Sequence, residues 1–160
     1  MTDNDRIVNL KEEPDFVAQY VSLRNLYCDL LLTTPVNVPE TKTWLESDDI
    51  EICGIVRGNE LIGVAILYLN RKGEIAFFAK YLRSGIGSRL LSVIETAAGD
   101  RGLREVWAWV LAENTNAQKT FLKNGYRSIG ESTKSYMDVK KTGVIYRKQI
   151  CRGSDKHEGK

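Results

Sequence analysis

Two stretches of the sequence combine residue types that can do chemistry. The first is Leu82-Arg83-Ser84-Gly85-Ile86-Gly87-Ser88, a glycine pair where a strand pattern gives way to a helix pattern. Glycines let successive backbone N–H groups converge on one concavity and let a ligand approach the chain closely. The helix start behind them adds about half a positive charge. Together they suit an anion such as a pyrophosphate. Taken alone, the glycines read equally well as a tight packing turn. The stretch is not a P-loop, because no Gly-Lys-Ser/Thr follows. It is a poor dinucleotide fingerprint as well: the third glycine position is Leu90, and Glu105, 20 residues after Gly85, opens its strand instead of ending it. The second stretch runs from Asn114 through Ala117, Phe121 and Lys123 to Gly125-Tyr126. By itself it is an ordinary capped helix with a C-terminal glycine. The pair in this order, about 27 residues apart, is a more specific signal.

Other chemistries are excluded by what the chain lacks. The single histidine, His157, sits in a polar tail, which removes Ser-His and Cys-His triads and most metal chemistry. Acid–base work is left to carboxylates, tyrosine, lysine or water. Cys28, Cys53 and Cys151 are odd in number and far apart, so neither a disulfide framework nor a zinc site is expected. No metal is expected.

The 160 residues, 42% hydrophobic and 28% charged, are the composition of one globular domain. We expect it to cover 1–150, with 151–160 a frayed tail. No apolar run is long enough to span a membrane. The polar, acidic start is unlike a signal peptide, so a cytoplasmic protein is expected. Residues 1–100 carry a charge of −5 and residues 101–160 a charge of +7. The basic half can attract a phosphate-rich ligand, although a solvated surface is the plainer reading. No RNA motif or basic recognition helix is present, so no nucleic-acid partner is expected.

The elements that must position these residues are legible from periodicity and turn chemistry. Arg6–Leu10 reads as a strand. Asp15–Leu32 reads as a helix with Phe16, Tyr20, Leu23, Leu26 and Leu30 on one face; Thr33-Thr34-Pro35 ends it. Pro39 suits the first turn of a short helix through Trp44. Ile50–Arg57, Leu61–Tyr68 and Glu74–Ala79 form a meander, turned at Gly58-Asn59 and at Asn70-Arg71-Lys72-Gly73. A helix opens at Gly85-Ile86-Gly87 and ends before Gly102. Leu103–Leu111 alternates as a strand should. A helix spans Asn114–Asn124, and Tyr126–Ile129 and Gly143–Ile150 are the last strands. The order β-α-α-β-β-β-α-β-α-β-β predicts an α+β fold, a mostly antiparallel mixed sheet flanked by helices.

With both stretches in this order, the sequence resembles the GNAT-type N-acetyltransferases. That family shows Gln/Arg-x-x-Gly-x-Gly/Ala after its fourth strand and Asn-x-x-Ala…Tyr…Gly-Phe after its fifth. The resemblance covers about residues 50–130 by motif and the first 50 by element order. It implies acetyl-CoA as co-substrate and N-acetyl transfer to a primary amine. Leu82, Arg83, Ser84, Gly85, Ile86, Gly87 and Ser88 would hold the pyrophosphate through backbone N–H groups. Phe77, Phe78 and Ala79 would pair with the pantetheine arm like an added strand. A backbone N–H of that strand would serve as oxyanion donor. Asn114 and Phe121 would flank the thioester, and Lys123 would reach a cofactor phosphate or face solvent.

Two positions depart from the family pattern. Leu82 stands where the family keeps Gln or Arg, with Arg83 beside it. Phe121 stands where many members keep the tyrosine assigned to protonate the leaving thiolate. That proton must then come from water, another side chain or the departing amine. Glu74 is the candidate general base, because it opens the strand whose far end lies near the thioester; otherwise it is a surface carboxylate. Arg24, Asn25, Glu40, Trp44, Tyr68 and Tyr136 are the candidates to face the acceptor, each with packing as its alternative. Around Arg24-Asn25, Trp44 and Glu74–Phe78 the chain is similar to members acting on nucleotide-linked amino sugars, and less clearly to ribosomal-protein N-terminal acetyltransferases. A small-molecule amine acceptor is therefore expected. The alternatives are a protein N-terminus or lysine as acceptor, and a non-catalytic acyl-CoA-binding module. The resemblance also leaves room for a homodimer through a sheet edge.

Overall fold

The computed structural model describes residues 5–81 and 84–150. Its strands are β1 (Asp5–Asn9), β2 (Ile50–Arg57), β3 (Glu60–Tyr68), β4 (Glu74–Ala79), β5 (Glu105–Leu111), β6 (Arg127–Tyr136) and β7 (Val139–Gln149). Its helices are α1 (Val17–Leu26), α2 (Cys28–Leu31), α3 (Val38–Trp44), α4 (Ile86–Asp100) and α5 (Thr115–Lys123). The strands form one sheet in the order β1-β2-β3-β4-β5-β7-β6. Every pairing is antiparallel except β4 with β5, which is parallel. The predicted α+β class is observed, and the predicted element order with it, except that three helices instead of two stand between β1 and β2.

Each sheet face buries its own core. On one face Ile55, Ala65, Leu67 and Ile75 meet Leu90, Leu91 and Ile94 of α4 and Phe121 of α5. On the other, Ile52, Val64, Ile66 and Phe78 meet Tyr20 and Leu23 of α1. The side-chain period of two in β3 splits its apolar run between the two faces.

The long first helix is a correction. A 3₁₀ turn spans Pro14–Phe16, and α1 and α2 are separated at Tyr27, whose φ and ψ are −111° and 17°. Leu26 is 76% exposed, off the face its spacing predicted. The break releases Tyr27, whose ring stacks on Phe78 and whose hydroxyl donates to Ala79 O at 2.6 Å. Leu32, in the left-handed conformation at φ 54°, then ends α2 ahead of the Thr-Pro pair. Helix α3 starts close to its expected Pro39, capped by Asn37 Oδ1, which accepts from Glu40 N at 2.8 Å.

The last hairpin is longer than expected. β6 and β7 run to a two-residue turn at Met137-Asp138, with φ of 54° and 65°. Positive φ at both positions matches the twist of a tight hairpin. The turn carries no glycine, and nine of the ten residues of β6 are exposed, so neither turn chemistry nor alternation marked it.

Candidate active site

The site lies where the sheet parts. Lys80 N–H donates to Ile62 O at 2.8 Å, which sets the phase of the β3–β4 ladder. Even-numbered residues of β4 turn their N–H and C=O toward β3, and odd-numbered ones turn theirs toward β5. Yet β4 meets β5 only at Glu74 opposite Trp107, with Trp107 N–H donating to Gly73 O at 3.2 Å. Beyond that bridge the strands splay. Among the described residues the outward N–H of Phe77 has no strand partner, and the outward Ala79 carbonyl accepts only the Tyr27 hydroxyl. Half-buried backbone groups left in this way are ready to pair with a ligand.

Two cavities open onto the split. The first, about 590 Å³, runs from the split to the start of α4, between β4 and α5. The second, about 240 Å³, lies toward α1, β3 and the strap 30–33. Both are lined by Leu30, Leu31, Phe77, Phe78, Asn114 and Ala117, so they meet at the outward edge of β4.

The first cavity gathers most of the residues expected at an acyl-CoA: Phe77, Phe78, Ala79, Ser84, Gly85, Gly87, Ser88, Asn114 and Lys123 all line it. Ile86 does not. Its side chain is buried in the core, 4% exposed, which leaves only its backbone for a ligand. Phe121 lines the second cavity instead. Leu82 and Arg83 lie outside the described residues. Tyr27 and Lys119 also line the first cavity and were not anticipated. Tyr27 falls inside the continuous helix that periodicity predicts, and Lys119 reads from sequence as one more solvated lysine.

The two glycines have different reasons to be glycine. Gly85 has φ 81° with open space where a Cβ would be; it supplies conformation and leaves room. At Gly87 a Cβ would sit 3.0 Å from Phe77 Cε1 and 3.1 Å from Thr120 Cγ2, so it lets the start of α4 pack against β4 and α5. Gly85→Ala will place an L-residue in the left-handed region at about 1–2 kcal/mol. The unliganded protein will then melt about 2–8 °C lower. An unchanged melt will show that the loop relaxes freely.

Asn114 caps α5, its Oδ1 accepting from Ala117 N at 3.3 Å, and lines both cavities. Phe121 carries no proton to give. Its ring lies 5.3 Å from Phe77, 4.9 Å from Tyr126 and 5.8 Å from Tyr146, an aromatic wall under the split. The neighbouring hydroxyls are engaged: Tyr146 donates to Gln118 Oε1 and Tyr126 to Glu95 Oε2. Burial, with Glu95 beside it, holds the Tyr126 hydroxyl far above its ordinary range.

In the second cavity stand Arg24, Tyr68 and Glu74. Glu74 is 8% exposed, opposite Tyr68 in the ladder. Its carboxylate is 3.3 Å from Arg71 and 3.9 Å from Lys134. Arg71 and Lys134 line the cavity too, the first lying over the Tyr68 ring and the second over Trp109. Neither was a sequence candidate. Arg71 belongs to a turn and Lys134 to an exposed strand, and only the sheet order brings them to Glu74.

Four proposed acceptor contacts line neither cavity. Asn25 spends both ends of its amide on the Val36 backbone, at 3.0 Å each. Trp44 stacks on Tyr20 and tilts against Tyr68. Glu40 stands exposed in the first turn of α3. The Tyr136 hydroxyl donates to Thr33 O at 3.1 Å. Asn25 and Tyr136 therefore pin the strap that walls the second cavity.

A seven-stranded mixed sheet, parted between β4 and β5 with a helix start at the mouth of the split, is the fold of an acyl-CoA-dependent transferase. The chain belongs to the acetyltransferase (GNAT) family, whose model matches residues 20–126. It is an acetyl-CoA-dependent N-acetyltransferase. Among solved structures, an N-acetyltransferase from Staphylococcus aureus Mu50 is similar with a TM-score of 0.81 and 19% identity, over 92% of this chain and 99% of that one. The Salmonella typhimurium protein yncA, solved with its cofactor acetyl-CoA, gives 0.81 at 13% identity, over 92% and 94%. A ribosomal-protein-alanine N-acetyltransferase from Brucella melitensis gives 0.73 at 17% identity, over 91% and 99%. At these identities the likeness is one of fold. A comparison with curated protein sequences finds no match. Among the described residues no cluster of potential metal ligands occurs, and no helix is long and apolar enough to cross a membrane.

Proposed function

We propose that this enzyme acetylates a primary amine of a small molecule by direct attack, with both substrates bound at once. The observation that supports it is the junction of two unequal cavities at the unpaired N–H of Phe77. The larger cavity and its glycine loop suit acetyl-CoA, which supplies a thioester activated for acyl transfer. The smaller, at about 240 Å³, lies below the roughly 300–1,000 Å³ typical of drug-sized ligands. It favours a compact amine over a whole nucleotide-linked amino sugar.

The chain's residues have separable roles in this reading. The backbone N–H groups of Ser84–Ser88 and the start of α4 bind the pyrophosphate. The outward groups of Phe77 and Ala79 pair with the pantetheine amides as an added strand would. Phe77 N–H donates to the carbonyl oxygen as it gathers charge. Holding both reactants in place supplies much of the acceleration. The nitrogen–carbon bond forms as the carbon–sulfur bond breaks. The acceptor enters as an ammonium and loses two protons. Glu74 accepts the first through water, since it lies three residues from Phe77, about 10 Å along the strand. The second ends on the thiolate, because Phe121 has none to give. The products are the N-acetyl amine and CoA thiol.

Two experiments test this. Acetyl-CoA at about 100 times its Kd will raise the melting temperature by about 5–10 °C, and NAD will not. A rise with NAD alone, or none, will sink the assignment of the first cavity. Thiol release will then be followed with small amines, a UDP-linked amino sugar, and short peptides with free N-termini. Turnover of small amines supports the reading. Turnover of peptides alone will replace it with protein N-terminal acetylation; the Brucella protein is named as a ribosomal-protein-alanine N-acetyltransferase.

A further inference from the structure

Three cations and one carboxylate line the second cavity: Arg24, Arg71, Lys134 and Glu74. Glu74 is shared by Arg71 and Lys134. Arg24 has no carboxylate of its own. Its Nη1 donates to Thr34 O at 3.0 Å and its side chain hydrogen-bonds the buried Tyr20 hydroxyl, while among the described residues no carboxylate lies within ion-pair distance of it. Tyr68 stands between the two groups. It pairs with Glu74 across the ladder, carries Arg71 over its ring, and its hydroxyl has no hydrogen-bond partner among the described residues. Burial raises the pKa of that hydroxyl, while Arg71 and Arg24 oppose the rise, so both guanidinium groups act on the same atom. A small cavity with surplus positive charge, an unused hydroxyl and one carboxylate at its floor favours a ligand with an anion at one end and an ammonium at the other.

We infer that the acceptor is an acidic primary amine, its carboxylate or phosphoryl group held by Arg24 and the Tyr68 hydroxyl while Glu74 takes a proton from its ammonium through water. This rests on the small-amine reading above and narrows it to one substrate class. An uncharged amine leaves Arg24 without a counterion in a partly dehydrated site. A long alkylamine places methylenes there. A charge-assisted contact of this kind corresponds to about 10- to 100-fold in kcat/KM.

The test compares pairs that share an aminoethyl group and differ in the anion, at saturating acetyl-CoA, by thiol release: β-alanine against propylamine, and O-phosphoethanolamine against ethanolamine. The anionic member of at least one pair is expected to be better by about 10-fold or more. Which pair shows the preference separates a carboxylate from a phosphoryl acceptor. In Arg24→Gln the preference should collapse through a higher KM for the anionic amine, with the thermal shift given by CoA retained. If that variant does not fold, the wild-type enzyme carries the test. Propionate or ethyl phosphate should then inhibit propylamine turnover competitively with the amine and not with acetyl-CoA. Equal kcat/KM within both pairs, a preference that survives Arg24→Gln, or no such inhibition overturns the inference while leaving the small-amine reading in place. Turnover of none of the four amines overturns both.

Discussion

Glu74→Gln is expected to lower kcat by about 100-fold or more, because the substitution keeps the shape of the side chain and removes its capacity to take a proton. The carboxylate is nearly buried, at 8% exposure, and faces the cavity proposed for the acceptor. It is the sole acidic side chain lining that cavity among the described residues. The thermal shift given by acetyl-CoA should be unchanged, since Glu74 does not line the first cavity. The variant also leaves Arg71 and Lys134 without their shared carboxylate, so some loss of stability is expected. A melt run beside the kinetics separates the two effects. An unchanged kcat in a folded variant removes Glu74 from the proton path and leaves it as the anchor of two cations.

Phe121→Ala should have the largest effect on stability, about 3–5 kcal/mol, or a fall of about 10 °C in melting temperature. Phe121 is 2% exposed and its ring contacts three others, Phe77, Tyr126 and Tyr146. Removing the ring enlarges the second cavity and frees Phe77, whose backbone faces the split. Catalysis should therefore suffer even below the melting transition. A loss under about 1 kcal/mol will show that the aromatic wall collapses into the space, contrary to the close packing expected of a core.

These two residues mark the boundary of what can be read from the chain alone. Phe121 was legible as a position, seven residues after Asn114 on a capped helix. Its burial and its three ring contacts were not. Glu74 was legible as the first residue of a strand, but the cations around it were not. Lys134 stands 60 residues later, on the outer part of the last hairpin that residue pattern left undetected because β6 buries almost nothing. Asn25 shows the converse. A polar side chain beside Arg24 reads as a ligand contact, and in the fold its amide is used to hold the strap at Val36.

The sequence by itself determined the strands short of the last hairpin's full length, most helices, the cap at Asn114 and the glycine loop, because periodicity, turn chemistry and capping act over a few residues. It determined the family as well, because the two motifs are local. Tertiary structure alone decided that α1 breaks at Tyr27, that β4 and β5 part beyond Glu74, and that Arg24, Arg71 and Lys134 converge on one cavity. Those features depend on which strands pair and where pairing stops. That is settled by the balance of burial across the whole sheet, which no short window of sequence contains.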